Sequence, residues 1–292
     1  MLEKEDVHER RRDYMSKFVL SNQSDFELAH IFECGQCFRW KKCEDGSYTG
    51  VIKNGVVNIK KSGNDFIVES NCDDIDFIKE YLDLNNDYSS VKEILKVDDE
   101  NMSTAIEYGS GIRILNQDSW EMLISFIISA ANNIPRISKT IQNISLSYGK
   151  KIEFQGSEYY LFPTPEELSR ATMEELRALN LGFRDKYVYG ATKLVASGEI
   201  DLNEISKKAY KDAKRELMKI PGVGAKIADC ILLFSMKKRE AFPVDTWIKK
   251  VMAELYVDSK DVKKIAEYAV AKFGENAGIA QQYLFYWKRE NS

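Results

Sequence analysis

One run near the C-terminus limits the fold more than any other: Leu217-Met-Lys-Ile-Pro-Gly-Val-Gly-Ala-Lys-Ile-Ala-Asp-Cys230. Pro221 stops a helix, Gly222 and Gly224 permit a sharp reversal, and a second helix then starts with Lys226 in its first turn. The first N–H groups of that second helix lack intrahelical partners and form a ready site for a phosphate. Farther on, Pro243-Val-Asp245 supplies a carboxylate. An amine and a carboxylate beside a phosphate grip suggest chemistry on a nucleic acid. The bland alternative is a helix–turn–helix corner whose lysine only pairs with phosphate. A bare Gly-x-Gly would leave that alternative ahead; the longer Pro-Gly-Val-Gly-x-Lys context followed by Pro-Val-Asp does not.

Net charge is −4, which argues against a nucleic-acid partner if the charge is spread evenly. It is not. Residues 207–250 hold twelve Lys/Arg and five Asp/Glu, a net +7, leaving −11 for the rest. A basic face on an acidic body follows. The 292 residues, 44% of them apolar, suffice for two or three packed units. Charges interrupt every apolar run, so no membrane span is expected. The start, Met1 to Arg12, is too charged for a secretory signal. The expected location is intracellular: cytoplasm or nucleoid in a prokaryote, nucleus in a eukaryote. Five cysteines, Cys34, Cys37, Cys43, Cys72 and Cys230, are odd in number and do not make a disulfide framework.

The first third reads as β. Cys37–Trp40, Tyr48–Ile52, Gly55–Lys60 and Asp65–Glu69 are short, β-branched or aromatic runs separated by Asp-Gly, Asn-Gly and Gly-Asn pairs. An antiparallel sheet over about 18–70 and a helix near Ile75–Leu84 are expected. After Asp98 the spacing turns helical, with helices over Ser119–Ile128, Ile134–Tyr148, from Thr164, Met173–Leu179, Lys186–Ser197, Lys207–Ile220, Ala225–Met236, Trp247–Tyr256, Val262–Phe273 and Ala277–Arg289. No repeat, long linker or low-complexity segment interrupts them.

The hairpin resembles the helix–hairpin–helix element of the DNA glycosylase superfamily named for it and for a Gly/Pro-rich loop with an aspartate (HhH-GPD). Within that superfamily the chain is similar to the eukaryotic-type 8-oxoguanine DNA glycosylase/lyases. Gly35-Gln-Cys-Phe-Arg-Trp40, Asn132-Asn-Ile-Pro-Arg136, Leu181-Gly-Phe-Arg184, Pro221–Cys230, Pro243-Val-Asp245 and Ala280-Gln281 through Leu284-Phe285 occur in the family's order. The resemblance runs from about residue 18 to the end. It implies an α+β fold: an N-terminal antiparallel β-sheet domain with flanking helices (1–112) packed on a mostly helical body (113–292) of two lobes. Lobe one spans about 134–220, and lobe two takes 113–133 with 221–292.

The resemblance also implies roles. Lys226 attacks the sugar of the damaged nucleotide, expels the base and leaves a Schiff base that supports strand cleavage, chemistry that needs an amine. Lysine acts as a nucleophile only when unprotonated, which burial or nearby positive charge favours. Asp245 steadies the positive charge that develops on the sugar. Because the target lies in a stacked duplex, the nucleotide must be extruded. The carbonyl of Gly35 would accept from the N–H that oxidised guanine has and guanine lacks. Gln281 would bond the base edge, Phe285 and Cys230 would sandwich its faces, and Pro243 would line the same pocket. The composition-only alternative for Phe285 and Cys230 is ordinary helix core. Asn132, Arg136 and Arg184 would contact DNA around the orphaned base, Phe183 would wedge into the stack, and Gly222 and Gly224 would hold the backbone. The chain departs from the family at Phe183, where tyrosine is usual, and at Ala131, where the family's first asparagine is replaced; both bear on opposite-base preference.

The implied partner is duplex DNA containing oxidised guanine, bound by a monomer. No organic cofactor is implied, although hairpin carbonyls could hold a monovalent cation. Cys34, Cys37, Cys43 and His30 have a zinc-like look, but no second cysteine pair follows and they read better as buried small residues. An iron–sulfur cluster of the kind some relatives carry needs four cysteines, and none follows Cys230. Only two histidines occur, His8 and His30, with no serine–histidine constellation. Two readings compete: a sibling glycosylase for alkylated or mismatched bases, disfavoured by Lys226, and a non-catalytic DNA-binding module.

Overall fold

The computed structural model describes residues 15–72 and 74–291; the charged start and His8 lie outside them. Strands β1 (Ser16–Leu20), β2 (Trp40–Lys42), β3 (Tyr48–Ile52), β4 (Gly55–Ser62) and β5 (Asp65–Ser70) make one antiparallel sheet, in spatial order β1-β5-β4-β3-β2. The alternating burial of β3 and β5 sets one face against a core, with Ile59 of β4 opposite Tyr48 on one side and Val68 on the other. The short helix α1 (Leu28–Phe32) and α2 (Ile75–Tyr81) cover that face through Leu28, Ile31, Phe32, Ile78 and Tyr81.

One strand differs from expectation. The ladder begins only at Trp40, and residues 33–39 form a tight loop instead. Gly35 holds φ +86°, and the buried Gln36 side chain ties the segment to Ile31 O, Arg113 O and Leu115 N instead of to a neighbouring strand. That loop carries a predicted site residue, so the departure matters for function.

The helical body starts earlier than the spacing suggests, with α3 (Tyr88–Lys96) and α4 (Glu100–Tyr108) before α5 (Ser119–Ser129) and α6 (Ile134–Tyr148). An unexpected hairpin, β6 (Lys151–Phe154) and β7 (Ser157–Tyr160), follows; it turns on Gln155 and Gly156, both at positive φ. Next come α7 (Pro165–Leu168), α8 (Met173–Leu176), a wide turn over Arg177–Leu181, α9 (Asp185–Ala196), α10 (Leu202–Lys207), α11 (Tyr210–Leu217), α12 (Ala225–Ser235), α13 (Thr246–Leu255), α14 (Val262–Phe273) and α15 (Ala277–Glu290). The stretch expected as one helix over Lys207–Ile220 is split, because Lys208 is extended.

Aspartates begin many of these helices. Asp74, Asp87, Asp99, Asp118, Asp201, Asp245 and Asp261 each accept from a first-turn N–H, and Thr164 and Thr172 form complete capping boxes. The acidic surplus thus does local structural work. Helices α5 and α12 are apolar on nearly every side and pack together in the middle, with Phe126 and Phe234 stacked at 5.6 Å. No helix among the described residues is long and apolar enough to cross a membrane.

The sheet is bolted to the body by buried polar groups. Asp83 accepts from Arg239 through both oxygens (2.9 and 2.6 Å) and from the Tyr88 hydroxyl (2.8 Å), while Arg113 donates to the carbonyls of Asp25 and Asp83 (both 2.8 Å). On the far side, Gly278 lets α15 close onto the segment before Asp245. Its N–H donates to Arg239 O at 2.6 Å, and a Cβ there would lie 2.4 Å from Leu233 Cδ1 and 2.7 Å from Ala241 O. Two of these neighbours are backbone and cannot swing away. Gly278→Ala is expected to lower unfolding stability by about 1–3 kcal/mol, read as a lower urea midpoint at unchanged slope.

Candidate active site

The hairpin forms as its glycines require, but for two different reasons. Gly222 has φ +85°, and a Cβ there would strike Tyr187 of α9 at 2.7 Å. Gly224 has an ordinary φ and is exposed, with nothing within 4 Å of where its Cβ would be. The first glycine makes the reversal; the second leaves the start of α12 open to close approach. No side chain caps α12, so its first N–H groups face outward unpaired. The angle between α11 and α12 is fixed by Asp229, whose buried carboxylate accepts from Tyr210 (2.8 Å) and Lys214 (2.7 Å).

Lys226, in the first turn of α12, is half-buried, with its Nζ 5.5 Å from the Phe126 ring centroid of α5. Its charge acts on both the Cys230 thiol, one turn on, and the Asp245 carboxylate. Asp245 is the N-cap of α13 and accepts from the Ile248 N–H at 2.8 Å. Burial pushes its carboxyl above the usual range, against the lowering pull of that N–H and of Lys226. Burial likewise pushes the Cys230 thiol up to about 11, although Lys226 favours the thiolate. The structure therefore brings Lys226, Asp245 and Cys230 into one cluster.

A second wall comes from the Glu33–Arg39 loop and α15. Gln36 is fully buried; it donates to Ile31 O (2.9 Å) and Arg113 O (2.8 Å) and accepts from Leu115 N (2.9 Å). Gln282 donates to Cys34 O at 2.7 Å, and Gln117 donates to Gln36 O at 2.8 Å. The carbonyls on either side of Gly35 are thus taken, and that of Gly35 accepts nothing among the described residues. A Cβ on Gly35 would lie 3.3 Å from the Phe285 ring, so Gly35 and Phe285 are neighbours. Gln281 is 4% exposed and its Oε1 has no partner, which is unusual for a buried amide. Pro243 is buried two residues before Asp245.

The third group lies on the Ala130–Arg136 turn and the loop at Gly182. Phe183 is 57% exposed, too much for a core ring. Arg136 is exposed and makes no ion pair among the described residues. Arg184, by contrast, is buried and directed into the turn. It donates to the carbonyls of Ala130 and Ala131 (2.8 Å to the latter) and stacks on Phe183 with its guanidinium carbon 4.4 Å from the ring centroid. Asn132 is likewise tied to the turn, donating to Ile128 O and accepting from Asn133 N, while Asn133 caps α6. Ala131 sits at φ +48°, a region that asparagine tolerates better than alanine.

The cysteine pair is divided between two cores. Cys34 packs in the helical core and Cys37 in that of the sheet, each thiol directed at a carbonyl of α1. Among the described residues no group of three His, Cys, Asp or Glu side chains is placed to hold a metal.

Residues 18–123 match the family described as 8-oxoguanine DNA glycosylase, N-terminal domain, and residues 124–275 match the HhH-GPD superfamily of base excision DNA repair proteins. The chain belongs to this superfamily. It is 32% identical over 282 residues to N-glycosylase/DNA lyase OGG1 of Arabidopsis thaliana, covering 90% of this chain and 77% of the relative. The N-glycosylase/DNA lyase of Saccharomyces cerevisiae is 31% identical over 273 residues, covering 84% and 72%. Among solved structures, the 8-oxoguanine glycosylase/lyase of Clostridium acetobutylicum, in complex with dsDNA containing cytosine opposite 8-oxoG, aligns with a TM-score of 0.90. Its identity is 44%, over 96% of this chain and 98% of that one.

Two residues of this HhH-GPD chain escaped the sequence reading. Phe126 looked like core, and only the fold puts its ring beneath Lys226. Asp229 had a usable signal: an acid inside the apolar run Ile227-Ala-Asp-Cys-Ile-Leu-Leu233, which must find a partner when buried. Native-state alkylation with iodoacetamide at pH 8, read by peptide mass spectrometry, is expected to spare Cys34 and Cys230. Both are buried, and both thiols are raised to about 11, whereas Cys43 is partly exposed and becomes labelled.

Proposed function

We propose that the protein is a bifunctional DNA glycosylase and abasic-site lyase that excises 8-oxoguanine from duplex DNA in base excision repair. The observation that carries this reading is the half-buried amine of Lys226 within electrostatic reach of the Asp245 carboxylate, which caps α13 and is held by that cap, beside a hairpin open to phosphate. A DNA-binding module would need the hairpin and not the half-buried amine with a carboxylate near it.

In this reading the exposed hairpin and the free N–H groups of α12 grip a backbone phosphate while the damaged nucleotide is turned out of the stack. Lys226 Nζ bonds to C1′ as the C1′–N9 bond breaks, and the base leaves with the electron pair. Asp245 offsets the positive charge developing on the sugar, worth about 10²-fold in rate. The amine adduct opens to a Schiff base, loss of a C2′ proton follows, and the 3′ phosphate departs by β-elimination. Gly35 O is a free acceptor between carbonyls that are engaged, those of Cys34 and Gln36, which suits it to the N7–H that only oxidised guanine carries. Normal guanine would leave that acceptor buried and unpaired, a penalty of about 1–3 kcal/mol. Gln281, whose Oε1 is buried without a partner in this structure, is assigned the base-edge donor. Phe183 and Arg136 project as wedge and orphan-base reader, with Arg184 holding their turn. With alanine at 131, the opposite base lacks one amide contact.

On a labelled duplex with one 8-oxoguanine, Lys226→Gln is expected to lose both base release and borohydride trapping yet still shift the duplex in a gel; normal trapping by that variant would refute the assignment. The raised carboxyl of Asp245 gives a second expectation. Protonation removes the charge the sugar needs, so single-turnover rate should climb with pH through a value above that of an ordinary aspartate. In Asp245→Asn this acidic limb disappears and the plateau rate falls by about 10²-fold or more.

A further inference from the structure

Arg289 lies in the last turn of α15, four residues after Phe285 and so on the same helix face. Its guanidinium carbon is 5.5 Å from the Phe285 ring centroid, and its Nη1 is 3.2 Å from where a Cβ on Gly35 would sit. Nη2 donates to Glu33 O at 2.6 Å, and Nε donates to the exposed Glu290 carboxylate at 2.8 Å. Nη1 is buried without a partner. The side chain thus ties the ring expected to stack on the base to the loop expected to read it.

We infer that Arg289 is a positioning residue for base specificity: it clamps the Glu33–Gly35 turn against Phe285 and so fixes where the Gly35 carbonyl points. The inference rests on the glycosylase reading above. The loop has no strand ladder to hold it, and Gly35 occupies a left-handed conformation that glycine enters and leaves easily. Its geometry is set by three side-chain donors, Arg289 to Glu33 O, Gln282 to Cys34 O and Gln117 to Gln36 O. Two are amides; Arg289 is the charged one, and its planar head also covers the Phe285 ring. A guanidinium needed only for Glu290 would stay in water with all its N–H groups hydrated. Instead one N–H is buried unpaired against Gly35, a penalty that the packing of this wall must offset.

The test compares two single-turnover rates for one protein: release of 8-oxoguanine from a duplex, and nicking of the same duplex with a preformed abasic site. Nicking requires Lys226 and the DNA grip but no base against Gly35. Arg289→Leu, which keeps an apolar cover on Phe285, is expected to lower the ratio of excision to nicking about tenfold or more. Arg289→Lys, which can still reach Glu33 O but lacks the planar fork, should recover part of it. A ratio within about twofold of wild type in Arg289→Leu, or two rates that fall together as a general fold defect would make them, overturns the inference. Failure of the functional reading looks different: the wild-type protein itself would release no 8-oxoguanine, and both proposals would fall.

Discussion

A carboxylate that caps a helix cannot turn away from its neighbour, and the site is built around that restraint. Asp245 is fastened to the first turn of α13 through Ile248 N. A cap of this kind contributes about 1 kcal/mol to stability, so folding and charge placement are served by the same hydrogen bond. The rest is then brought to it. α12 delivers Lys226 from the hairpin side, α5 provides the Phe126 ring, and α15 closes over the preceding segment because Gly278 has no side chain to prevent it.

On the proposed function, the sheet domain contributes to base recognition through a loop, and that loop takes its shape mostly from elsewhere. Gln117, from the link before α5, and Gln282, from α15, hold the carbonyls around Gly35, while Gln36 reaches back to Arg113 and Leu115. The acceptor thus moves with the helical body that carries Lys226. The anchors at Asp83 and Arg113 keep the sheet itself registered to the same body. A distance between Gly35 and Lys226 that mattered to chemistry would be preserved through this network.

Much of this was legible in the residues. Hairpin signals at Asp45-Gly46, Asn54-Gly55 and Gly63-Asn64 gave the sheet, and apolar spacing gave α6 and α14 to the residue. What failed has a common cause. Cys37–Trp40 looks like a strand because its residues favour one, yet Gln36 and Gly35 bind the segment into a loop through contacts more than 70 residues away. The β6–β7 hairpin was missed because Gln155-Gly156 is a weak turn signal, and α3 because its sequence is polar and its burial rests on Tyr88 and Leu95. For the site, the hairpin and Pro-Val-Asp motifs pointed to Lys226 and Asp245, and the family resemblance pointed to Gly35. Neither could show that Arg184 is turned inward to the Ala130–Ala131 carbonyls, since nothing in a sequence tells a free guanidinium from an engaged one.

Two carboxylates near α12, Asp229 buried and Asp245 half-buried, illustrate how environment separates structure from chemistry. Burial raises the pKa of both Asp229 and Asp245. Asp229 is answered inside the protein by the Lys214 ammonium at 2.7 Å and the Tyr210 hydroxyl at 2.8 Å, so its charge is neutralised where it sits. Asp245 has no cation bonded to it among the described residues; it accepts from the Ile248 N–H and feels the nearby charge of Lys226. In the proposed reaction Lys226 attacks as a neutral amine, and the field of Asp245 is then free to act on the cation that forms beside it. A deoxyribose losing its base is such a cation, and a carboxylate already desolvated and fixed needs no reorganisation to meet it. On the proposed function the same residue type serves as a bolt at 229 and as an electrostatic partner at 245, and the difference lies in which partner each one lacks.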